Sequence, residues 1–99
     1  MRFQLSEKLP AGKLVRVAVD FDKIINSVTI TGDFFLHPED KLELIENALS
    51  GLPLAIAEED LRRRVEFVVE AEGIEMAGIT PEAIARLVKQ ATAIKESFK

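Results

Sequence analysis

Thr31-Gly32-Asp33-Phe34-Phe35-Leu36-His37-Pro38-Glu39 is where the chain changes its periodicity. Before it, apolar and polar residues alternate, as in half-buried strands. After it, apolar residues recur at helical spacing. The stretch itself gathers a glycine, two adjacent phenylalanines, the only histidine and a proline. The elements on its two sides decide the fold.

Working back from Gly32, residues 24–31 read as a strand. Val28 and Ile30 face one way, and Thr29 and Thr31 the other. The density of β-branched residues supports this. Residues 14–21 form a second strand, with Val15, Val17, Val19 and Phe21 alternating with Arg16, Ala18 and Asp20. Asp20-Phe21-Asp22-Lys23 supplies the turn, so an antiparallel hairpin is expected. Residues 2–8 make a short third strand with Phe3 and Leu5 on one side, broken by Pro10-Ala11-Gly12. Gly32 ends the alternation, marking a bulge or a close approach of another backbone. Continued alternation puts Phe34 on the face of Val28 and Ile30. It sends Phe35 the opposite way, beside Asp33.

Working forward, His37 takes the N-cap position of a helix and Pro38 its first turn. Glu39 and Asp40 complement the positive end of the dipole. Leu42, Ile45, Ala48 and Leu49 form its apolar stripe, and Gly51 and Pro53 stop it. A second helix covers about 57–72, with Leu61, Val65 and Val68 on one face and Gly73 at its end. A third has Thr80 as N-cap, Pro81 at its first position and Glu82 behind it. Its apolar face is Ile84, Leu87, Val88, Ala91 and Ile94.

Strands therefore come first, about 2–36, and helices after, about 38–97, in a single domain of residues 1–99. This segregation predicts an α+β fold: a small antiparallel sheet of two or three strands packed against about three helices. The other sheet face, with Arg16, Ala18, Thr29 and Thr31, is expected to be open to solvent or to a partner.

The composition excludes several functions. The chain has 99 residues, 47% of them hydrophobic, enough for a core. The formal charge of −4 argues against a nucleic-acid partner, which calls for a basic face. The absence of cysteine excludes disulfides, a thiol nucleophile and a zinc-thiolate site. No apolar run is long enough to span a bilayer, and residues 1–7 lack the core of a signal peptide. No membrane partner is expected, and the expected location is the cytoplasm.

Chemistry is sparse. There is no glycine-rich nucleotide fingerprint and no lysine-containing P-loop. One histidine cannot build a histidine metal cluster. Ser6, Ser27, Ser50 and Ser97 lie in no nucleophile elbow. Asp33 and His37 are close enough in sequence to pair as acid and base. Local structural roles outweigh that: an Asp after a Gly bonds turn amides, and His37 sits at a cap. Arg62-Arg63-Arg64 is the strongest positive run, but three consecutive residues spread over about 200° of helix and cannot meet one ligand. These residues describe an α+β domain with no self-contained active site.

The segment Gly12-Lys13-Leu14-Val15-Arg16-Val17, followed by Lys23-Ile24-Ile25-Asn26-Ser27-Val28-Thr29-Ile30-Thr31-Gly32-Asp33-Phe34-Phe35, resembles the accessory domain of lipoate–protein ligase A. That pattern is a glycine–lysine strand start, a hairpin and a Gly-Asp-Phe-Phe signature leading into a helix. Gly78-Ile79-Thr80-Pro81-Glu82-Ala83-Ile84-Ala85 is similar to the start of the family's last helix. The resemblance runs from about Lys8 to Ala91.

In many such ligases this domain is fused behind a catalytic domain. Here it starts with its own Met1, which looks like the small subunit of a split enzyme. The resemblance implies an ATP-dependent reaction. Lipoate and ATP give lipoyl-adenylate and pyrophosphate, and the lipoyl group then passes to a lysine of an acceptor domain. It implies that the large subunit holds the catalytic lysine, ATP, a divalent metal such as magnesium, and lipoate. It further implies that the small chain by itself binds no cofactor and has no catalytic or metal-binding residue of its own. The implied partners are the large subunit and, indirectly, lipoyl acceptor domains. Gly32, Asp33, Phe34, Phe35 and His37 are the candidate partner-interface residues. Two alternatives stand beside this: an interaction module of another pathway with a related α+β fold, such as the relatives of iron–sulfur assembly proteins, and a self-sufficient small enzyme using Asp33 and His37.

Overall fold

A computed structural model describes residues 1–10 and 13–97. Ala11 and Gly12 of the expected break, and the side chains of Ile94 and Ser97, lie outside the described residues.

Strands β1 (Arg2–Lys8), β2 (Leu14–Phe21) and β3 (Ile25–Gly32) form an antiparallel sheet in the order β1-β2-β3. The register sets Leu5 opposite Val17 and Val17 opposite Ile30. Val15, Val17, Val19 and Phe21 are completely buried, which places the period-2 stripe on one inner face. The hairpin turn is held by Asp22, whose Oδ1 accepts from the N–H of Lys23 at 2.5 Å and of Ile24 at 3.3 Å. These two N–H groups, Ile24 foremost, hold the Asp22 carboxyl below its ordinary pKa.

Of helices α1 (Leu42–Ala48), α2 (Glu58–Glu72) and α3 (Pro81–Ser97), α1 and α3 cover that inner face. Helix α3 packs on β1 and β2, α1 packs on β3, and α2 lies outside them against α1 and α3. Thr80 caps α3 as expected: its Oγ1 accepts from the N–H of Ala83 at 3.1 Å. Gly73 ends α2 in the left-handed conformation, with φ 63°. The segment after α1 clips to the edge of the sheet, where Gly51 N–H donates to Ile25 O at 2.6 Å and Ile25 N–H donates to Leu52 O at 2.8 Å. Glu46 of α1 accepts from the Ile30 N–H at 2.7 Å. The α+β class, the N-terminal antiparallel sheet and the three helices are as the sequence implies.

Three expectations need correction. The strands do not stop near residue 36. A short strand β4 (Phe35–His37) pairs antiparallel with β5 (Glu75–Ala77), which lies between α2 and α3. Next, His37 is not a cap, and Pro38 is not the first residue of an α-helix. Pro38, with φ −71° and ψ 140°, precedes a 3-10 turn over Glu39–Lys41, and α1 begins only at Leu42. The residue before a proline favours extended backbone, and buried Leu36 together with the β5 pairing holds His37 there. Finally, Ala18 is not open on the outer sheet face but only 5% exposed. Its register neighbours Gln4 and Thr29 flank it on that face.

Candidate functional site

The edge around Gly32 is built from the hairpin outward. Gly32 sits opposite Val15 with φ 148°, and a Cβ added there would lie 2.1 Å from the Leu14 carbonyl oxygen. No side chain fits so close to a backbone, so the close approach expected from the sequence is present. The next residue repeats the contact, the Asp33 N–H donating to Leu14 O at 2.8 Å. This double hold sets where the chain leaves the sheet for β4.

Beyond it the two phenylalanines separate as alternation predicts. Phe34 is half-buried against the core, and Phe35 is 55% exposed. Phe35 and His37, two apart on β4, stand on the same side with Leu36 buried between them. Their rings lie nearly parallel, with centroids 6.3 Å apart and planes at 4°. Across the strand pair, Ala77 is opposite Phe35 and Glu75 opposite His37. A groove of about 320 Å³ runs along this edge, lined by Gly32, Phe34, Phe35, Glu39 and Leu42 among others.

Chemically, this edge offers an exposed aromatic pair beside a carboxylate and an apolar groove. Such a surface suits contact with a partner better than bond-making. Among the described residues no hydrogen bond joins Asp33 to His37, so they do not form an acid–base pair. The expectation that the Asp33 carboxylate bonds turn amides is also corrected: Asp33 is exposed, and that role belongs to Asp22. Among the described residues no three carboxylate or imidazole groups gather to hold a metal. Among the described residues no helix is long and apolar enough to cross a membrane.

The arginine run divides as helical geometry demands. Arg62 is tied along α2 to Glu66 at 2.6 Å and Glu59 at 3.0 Å. Arg63 and Arg64 turn instead toward a second groove that also includes Phe67. Phe67 belongs to no motif and no apolar stripe in the sequence. Its signal was a large aromatic lying off the Leu61, Val65 and Val68 stripe, where a core residue has no business on an amphipathic helix.

No protein-family model matches the chain, and no curated protein matches it. A solved chain does. It comes from the structural analysis of an archaeal lipoylation system of Thermoplasma acidophilum, a bi-partite lipoate protein ligase and its E2 lipoyl domain. The two are 28% identical with a TM-score of 0.65, over 93% of this chain and 97% of that one. Such balanced coverage means that the two chains are nearly equal in length. The resemblance carried by the hairpin and Gly-Asp-Phe-Phe is thus matched, across almost the whole chain, by a likeness to a chain of a bi-partite lipoate protein ligase system.

Proposed function

We propose that this chain is the accessory, non-catalytic subunit of a two-chain cytoplasmic lipoate–protein ligase. The observation that carries this is the near-full-length likeness to a chain of a bi-partite ligase system. A role in another pathway as an interaction module has no comparable likeness behind it.

In this reading the catalytic chain binds ATP, a divalent metal and lipoate. The lipoate carboxylate attacks the α-phosphorus of ATP and pyrophosphate leaves. The acceptor lysine amine then attacks the lipoyl carbonyl and AMP leaves. The accessory chain acts on the first step. Its β4 edge, with Phe35 and His37 outermost and Gly32, Asp33 and Phe34 beside them, packs against the loops that close over the adenylate. Ordering those loops aligns the reactants and keeps water from the acyl-adenylate, effects worth several kcal/mol in a barrier.

The test is lipoate-dependent ATP–pyrophosphate exchange by the catalytic chain with and without this one. Exchange is expected to rise at least about tenfold on adding it, a change of about 1.4 kcal/mol in the barrier. Phe35→Ala is expected to lose most of that gain while its thermal unfolding stays unchanged. Full exchange by the catalytic chain alone would refute the accessory role.

A further inference from the structure

We propose that the groove on the outer side of α2 docks an acidic, apolar-tipped segment of the catalytic chain. This rests on the two-chain reading above and names a second surface for it.

Asp60, Arg63, Arg64 and Phe67 follow one another at i, i+3, i+4 and i+7, so they share one face of α2. Phe67 is 73% exposed, more than Phe35. The groove beneath this face has a volume of about 620 Å³, and Ala48, Ile56 and Val68 add apolar walls. Arg63 lies 3.7 Å from Glu59, a loose pair, and among the described residues Arg64 has no carboxylate partner. An apolar groove with two weakly held guanidinium groups at its lip is a local inversion on a chain of net charge −4.

These features define the occupant. Arg63 and Arg64 call for carboxylates, which guanidinium groups hold with paired hydrogen bonds. Phe67 and the walls call for an apolar side chain. Aromatic residues, Phe among them, and arginine are also enriched in protein–protein interfaces. A phosphate polymer fits poorly, because the groove walls are apolar and offer it only two cations.

The groove is also connected to the β4 edge. Helix α1 starts at Leu42, which lines the groove beside Phe35, and ends at Ala48, which lines this one. Six residues of helix rise cover about 9 Å. Leu44, one turn before Ala48, is itself 41% exposed. A partner seated on Phe35 therefore reaches Phe67 by crossing one short helix.

The experiment is calorimetric titration of the catalytic chain with wild-type protein, Phe67→Ser, and the double variant Arg63→Glu/Arg64→Glu, at low and high salt. Wild type is expected to bind, and each variant to bind at least about tenfold more weakly. The salt dependence of the double variant is also expected to reverse, because two carboxylates then face the acidic segment and salt screens their repulsion. Unfolding midpoints should match wild type, because the altered side chains are exposed. Wild-type affinity in both variants overturns this docking site and leaves the two-chain reading intact. Failure of wild type to bind overturns both. Sedimentation of the chain alone as a dimer that Phe67→Ser dissolves would assign the groove to a second copy, and would equally overturn the proposal.

Discussion

Helices α2 and α3 are neighbours of similar length, 15 and 17 residues, with opposite roles. Helix α3 buries Ala83, Ile84, Ala85, Leu87, Val88 and Ala91 and lies against two strands. Helix α2 buries only Leu61 and Val65 and leaves Phe67 in solvent. The difference is one of layer. Helix α3 lies between the sheet and α2, whereas α2 has helices on one side and water on the other. The inner helix holds the fold together, and the outer one is free to carry residues that folding does not need.

This contrast is open to direct attack. Leu87→Ala, in the inner layer, is expected to cost about 2–5 kcal/mol in urea denaturation. A cost below about 1 kcal/mol would remove α3 from its structural role. Gly32→Ala, at the exit from the sheet, is expected to cost on the order of 2 kcal/mol, because the new Cβ meets the Leu14 carbonyl in a backbone conformation that favours glycine. Thr80→Ala takes away the cap of α3 and is expected to cost about 1 kcal/mol, with Thr80→Ser restoring most of it. Phe67→Ser, in the outer layer, is expected to change stability by less than about 0.5 kcal/mol. A large loss there would mean that α2 is structural too.

The smallest effect concerns the hairpin turn in acid. The folded Asp22 carboxyl titrates below its unfolded value of 3.8. It therefore contributes stability above that pH, and the contribution is lost as pH falls through the folded value. The gap in urea midpoint between wild type and Asp22→Asn should narrow from pH 7 to pH 3. A gap independent of pH would mean that the carboxylate charge does not hold the turn.

Much of the frame was legible in the sequence. The alternation in β2 and β3 set their inner face, because a half-buried strand records its own burial every second residue. Thr80-Pro81 and Gly73 marked helix ends through purely local geometry. The opposite directions of Phe34 and Phe35 followed from the same alternation. The β4–β5 pair did not show. Each strand has three residues, too few for a period, and their partners lie about 40 residues apart in the chain. The start of α1 was misplaced for a related reason: Pro38 fits a helix start locally, but the pairing of β4 with β5 keeps His37 extended.

The site divides along the same line. Gly32, Asp33, Phe34, Phe35 and His37 stood out as a cluster in the sequence, and their resemblance to a ligase accessory domain was readable there. The chain alone also determined its hairpin, the Thr80 cap and the Gly73 helix end, since each depends on residues within a few positions of one another. Only the tertiary structure decided that Phe35 and His37 stack on an exposed edge. It alone decided that Asp33 and His37 do not pair, that Ala18 is covered, and that Phe67 and two arginines flank a groove against α1. Those outcomes depend on which distant segments pack together, and burial and pairing across the chain are not recorded in local spacing.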